Sequence, residues 1–65
     1  MLEREPMMNL KLMRIKKNLS QVELAKKAHI AQKALSAYEC GKISPKIEVL
    51  YKLAEALECD VKDII

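Results

Sequence analysis

Sixty-five residues leave room for one domain, and with two tyrosines as its only aromatics the core must be aliphatic. One glycine and two prolines exclude a series of hairpins, whereas Ala, Leu, Lys and Glu, all good helix formers, dominate, so the expected class is all-α. The net charge of +3 is unevenly spread: residues 11–46 carry nine Lys or Arg against Glu23 and Glu39, a net of +7, and residues 47–65 carry two Lys against five acids, a net of −3.

In chain order, residues 1–7 mix charge, Pro6 and methionines and read as a loose N-terminal arm ahead of a domain at residues 8–65. A first helix is expected from Asn9, placed to cap it, to Asn18. It turns Leu10, Met13 and either Leu12 or Ile15 inward, and Lys16 and Lys17 fall in its last turn, where cations suit the dipole. "SQVE" at residues 20–23 has the form of a capping box, with Ser20 and Glu23 each accepting from the other's amide. It opens a second helix over Gln21–Ala28. The third helix runs from Gln32 to Cys40, with Gly41 suited to the left-handed position beyond its end. Ile47, Leu50, Leu53, Ala54 and Leu57 then recur at three- and four-residue steps, the strongest periodicity in the chain. With Ser44 as cap and Pro45 in the first turn, they predict a fourth helix over Lys46–Glu58. Asp60, followed three residues later by Asp63, predicts a short fifth helix through Ile64 and Ile65.

Other chemistries find little support. Cys40 and Cys59 are too few for a disulfide framework and have no CxxC spacing; with His29 they fall short of a structural zinc set, so no metal or cofactor is expected. No serine–histidine–acid set, glycine-rich phosphate loop or paired carboxylates argue for an enzyme. The N-terminus lacks the apolar run of a signal peptide and no stretch approaches a membrane span, which predicts a cytoplasmic protein. A basic region of net +7 suits a polyanion, and equally a set of solvated lysine faces.

The second and third helices are separated only by His29, Ile30 and Ala31, and Ala25 supplies a small side chain where they would cross closely. This is the spacing of a helix-turn-helix, whose second helix is offered to a major groove. The segments "LKLMR", "LSQVELA", "LSAYECGK", "SPKIEVLYKLAEAL" and "DVKDI" occur in that order. Through them the chain resembles, over nearly its whole length, the Cro/C1-type (XRE-like) DNA-binding domains of bacterial and phage repressors.

The resemblance implies a five-helix domain with helices two and three as the motif, and it implies roles for matching positions. Gln32, Lys33, Ser36 and Ala37 would face the bases. Glutamine can pair with adenine, lysine can reach guanine acceptors, and an alanine methyl can meet a thymine methyl. Gln21, at the start of helix two, and Lys42, Ser44 and Lys46, after helix three, would hold phosphates. Arg14 and Glu39 match an internal salt bridge tying helix one to the end of helix three. The family usually has glycine where this chain has His29, and Ser or Thr where it has Ala31. What the resemblance implies is a regulator of transcription, most simply a dimeric repressor on a pseudo-palindromic operator. Leu57, Val61, Ile64 and Ile65 are the expected dimer surface. An antitoxin or adaptor that grips a protein partner on the same fold is the alternative.

Overall fold

The computed structural model describes residues 6–65, and within them the chain forms α1 (Met8–Lys16), α2 (Gln21–Ala28), α3 (Gln32–Cys40) and α4 (Ile47–Leu57), followed by a 3-10 turn at Val61–Asp63. No strand occurs among the described residues. The helices are short, and their stability comes from packing: α2 lies against both α3 and α4, while α1 touches α3 and the closing turn. Leu10 from α1, Leu24, Ala25 and Ala28 from α2, Leu35 and Tyr38 from α3, and Leu53, Ala54 and Leu57 from α4 meet in one core with Ile64, aliphatic but for Tyr38.

The expected fifth helix is a single 3-10 turn. The Asp60 amide donates to Asp63 Oδ2 at 3.0 Å, and the Ile64 amide closes the turn on the Val61 carbonyl at 3.0 Å. Bonds spaced three residues apart sustain only short pieces, and this turn is one that delivers Ile64 to the core, where it is fully buried. Leu57, at 1% exposure, and Ile64, at 0%, are therefore interior groups and cannot form a dimer surface; of the four residues expected there, Val61 is half-buried and only Ile65 is exposed.

The helix starts differ from expectation in two places. α1 begins one residue early, with Met7 in the cap position and its carbonyl accepting from the Lys11 amide. Asn9 lies inside the helix and donates through Nδ2 to the Ile65 carbonyl at 2.9 Å, pinning the start of the domain to its far end. Met7 packs against the core, and residues 1–5 of the expected arm lie outside the described residues. α4 starts at Ile47, because Lys46 keeps an extended backbone; Ser44 and Pro45 precede the cap position and do not supply it. Neither Leu12 nor Ile15 turns inward, since both are more than half exposed. At 3.6 residues per turn they stand roughly 200° and 140° around the helix from the buried Leu10.

The four helices stop in the same way. Each has a left-handed residue just past its end: Asn18, His29, Gly41 and Glu58, with φ of 64°, 58°, 80° and 57°. Each has the paired bonds of a Schellman motif, for example Ile30 N–H to Ala25 O at 3.0 Å and His29 N–H to Lys26 O at 3.2 Å. Only one of the four uses glycine, so three ends carry the strain of a side chain at positive φ for the sake of sharp, closely spaced turns.

Candidate nucleic-acid interface

The motif is built from its caps inward. Ser20 Oγ accepts from the Glu23 amide at 3.0 Å, and Glu23 Oε1 accepts from the Ser20 amide at 2.8 Å. The bond from the Ser20 amide, and after it the Ser20 hydroxyl, hold the Glu23 carboxyl below its ordinary value. α2 ends at the left-handed His29, and Ala31 then returns the chain to extended geometry, with no side chain capping α3. Ala25 and Ala28, 3% and 2% exposed, are the small side chains that α2 buries in the core ahead of the turn.

A carboxylate at the end of α3 organises this corner. Glu39 is buried, and its Oε2 accepts from Arg14 Nε at 2.7 Å while its Oε1 accepts from Arg14 Nη2 at 3.1 Å. This two-pronged pairing has the planar fit of guanidinium to carboxylate. Arg14 Nη1 also donates to the Leu19 carbonyl at 2.9 Å, so one side chain joins α1, the α1–α2 loop and α3. Glu39 Oε1 accepts a further bond from Gln21 Nε2 at 3.0 Å. Gln21 Oε1 in turn lies 3.5 Å from Gln32 Nε2, at the long limit of a hydrogen bond. Among the described residues no buried side-chain nitrogen or oxygen is left without a partner.

The resulting surface has an order. Gln32 and Lys33, in the first turn of α3, are exposed, and Ser36 and Ala37 are half-buried one turn further on. The helical spacing gathers these four on the side of α3 away from Leu35 and Tyr38, which enter the core. Gly41, at φ 80°, turns the chain away from the end of α3, where the Lys42 amide donates to the Ala37 carbonyl at 2.9 Å. Lys42, Ser44 and Lys46 follow in an exposed loop before α4. Gln21, at the start of α2 and half-buried, uses one of its two amide hydrogens on Glu39 and touches Gln32, which leaves the second hydrogen and the first backbone amides of α2 for an anion.

Sequence reasoning missed Cys40. It is exposed on the same side of α3, four residues after Ser36 and seven after Lys33, and the helical repeat that collects the other four could have found it. Among the described residues, no group of three or more His, Cys, Asp or Glu could hold a metal ion, and no helix is long and apolar enough to cross a membrane.

The relatives agree with this geometry. A family model described as helix-turn-helix matches residues 10–64. An HTH-type transcriptional regulator of Archaeoglobus fulgidus is 33% identical over 55 residues, covering 85% of this chain and 78% of that protein. One from Methanocaldococcus jannaschii is 34% identical over 55 residues, covering 85% and 83%. Among solved structures, the restriction-modification controller protein C.AhdI of Aeromonas hydrophila superposes with a TM-score of 0.86 at 26% identity, over 89% of this chain and 88% of that one. The clp gene regulator ClgR of C. glutamicum superposes at 0.82 and 28% identity, over 88% and 74%. With the motif, the frame around it and the match over residues 10–64 all in agreement, the chain belongs to the Cro/C1-type (XRE-like) helix-turn-helix family.

Proposed function

We propose that this protein is a transcriptional regulator that binds duplex DNA through α3, reading bases with Gln32, Lys33, Ser36 and Ala37 and gripping flanking phosphates with Lys42, Ser44 and Lys46. The observation that carries the reading is the Glu39-centred network, which fixes the tilt of α3 and leads through Gln21 to Gln32 on the exposed first turn. A rigid helix with polar tips and a basic loop beside it is what groove reading requires. The regulators to which the chain is similar support the same role. The protein acts by binding, without catalysis, and works where the chromosome is, in the cytoplasm.

One α3 spans only a few base pairs, so discrimination calls for a two-fold dimer reading half-sites about 34 Å apart, occupying a promoter as a repressor. Val61 and Ile65, at the end of the domain carrying the 3-10 turn, are the residues left for its axis. The test is selection of bound duplexes from a random library, and an enriched motif with two-fold symmetry is the expected result. Lys33→Ala then relaxes base preference at one position per half-site. Lys42→Ala weakens every sequence alike and lowers the salt slope by about one. Binding with no enrichment contradicts base reading, and equal loss on all sequences for both variants contradicts the assignment of Lys33. If no duplex binds, the adaptor or antitoxin reading takes over.

A further inference from the structure

α1 is apolar on two sides. Leu10 is buried in the core, yet Met8, Leu12 and Ile15 stand outward at 53%, 55% and 53% exposure. Their spacing of four and then three residues aligns them in one stripe, roughly 10 Å long at 1.5 Å per residue. Exposed Lys11 and Lys16 border the stripe on either side, about 60° and 80° around the helix from Met8. A helix whose outer surface alternates grease and positive charge in this way is shaped for an apolar, acidic counterpart.

The chain carries such a counterpart on another helix. Ile47 and Tyr51, one turn apart on α4, are 56% and 63% exposed. Glu48, Glu55 and Glu58, all exposed, lie beside and beyond them. Lys52 is the one cation within α4; exposed Lys46 stands at its cap, and Lys27 and His29 from the end of α2 line a cleft with Glu55 and Glu58. The basic stripe and the acidic stripe occupy different helices, so one copy's α1 can receive another copy's α4 without using the base-reading side of α3.

We propose that the protein self-associates head to tail, the Met8–Leu12–Ile15 face of α1 in one copy packing on the Ile47–Tyr51 face of α4 in the next, with Lys11 and Lys16 opposite Glu55 and Glu58. The contact joins two different surfaces, so it can propagate from copy to copy and does not close on itself as a two-fold dimer does. The five apolar side chains offer on the order of 500 Å² in all, about a third of what a stable complex buries, so the contact is weak between free molecules. Copies held side by side on one DNA meet at far higher effective concentration, and there the contact makes occupancy of neighbouring sites cooperative. The association itself does not depend on DNA binding.

The test follows amide resonances of the isotope-labelled full chain, without DNA, through a dilution series. Expected are concentration-dependent shifts at Met8, Leu12 and Ile15 together with Tyr51, Glu55 and Glu58. Leu12→Glu and Tyr51→Lys change exposed positions and leave the other resonances in place; each variant alone loses the dependence. Mixed, they regain it, because the intact α4 of the first meets the intact α1 of the second. Shifts on one face only, shifts confined to Val61 and Ile65, no shifts on dilution, or two variants that ignore each other would each overturn the proposal. Shifts confined to Val61 and Ile65 would leave the two-fold dimer standing.

Discussion

Replacing Glu39 with alanine tests the central claim that one buried carboxylate organises the corner. The side chains of Arg14 and Glu39 are 11% and 3% exposed, so truncating the acid leaves a nearly buried guanidinium with only the Leu19 carbonyl as partner. Breaking a buried pair on one side costs about 3–5 kcal/mol. A 65-residue domain has roughly 3–10 kcal/mol in total, so Glu39→Ala is expected to fall close to unfolding at 25 °C. In thermal melts followed by far-ultraviolet circular dichroism, the midpoint drops by at least about 12 °C, at ~4–8 °C per kcal/mol for domains of this size. The double variant Arg14→Met/Glu39→Leu removes both charges and fills the space, and it recovers most of the loss. It nevertheless leaves Gln21 without its anchor, so DNA affinity falls even though the domain is folded. A loss below about 1 kcal/mol for Glu39→Ala, or a double variant as unstable as the single, would refute this account of the pair.

Three further expectations rest on single positions. Ser20→Ala removes the hydroxyl from the Glu23 amide and lowers stability by about 1 kcal/mol at neutral pH. Because folding depresses the Glu23 carboxyl below its ordinary 4.5, the stabilisation it brings is complete above that pH and is lost as pH falls through the folded-state value. Melts at stepped pH should accordingly show a smaller acid loss in Ser20→Ala than in the parent. His29→Gly relieves a side chain held at φ 58° and raises stability by about 1 kcal/mol, read in urea denaturation; a loss would mean that the imidazole makes a compensating contact. Alkylation at neutral pH, followed by peptide mass analysis, should label exposed Cys40 well before Cys59. The Cys59 thiol is half-buried and pushed up by that burial and then by the Asp63 charge, so less of it is thiolate.

What could be read from the sequence alone was whatever rests on neighbours along the chain. The Ser20–Glu23 capping box, the left-handed Gly41, the apolar repeat of α4 and the three-residue turn between α2 and α3 are short-range chemistry. Together with the order of the quoted segments they were enough for an all-helical frame with its motif in the right place. The other features needed the packed molecule. Leu12 and Ile15 are as apolar as Leu10, and only the neighbours of α1 decide that Leu10 goes in and the other two stay out. Ile64 reads as a free terminal apolar group until the 3-10 turn sends it into the core beside Leu57. Asn18, His29 and Glu58 end helices without the glycine that would announce it, because tertiary packing repays the local cost of a positive φ. The bonds that join Gln21 to Glu39 and Gln32 form because α1, α2 and α3 converge there, a meeting of residues 14, 21, 32 and 39 that no local pattern encodes.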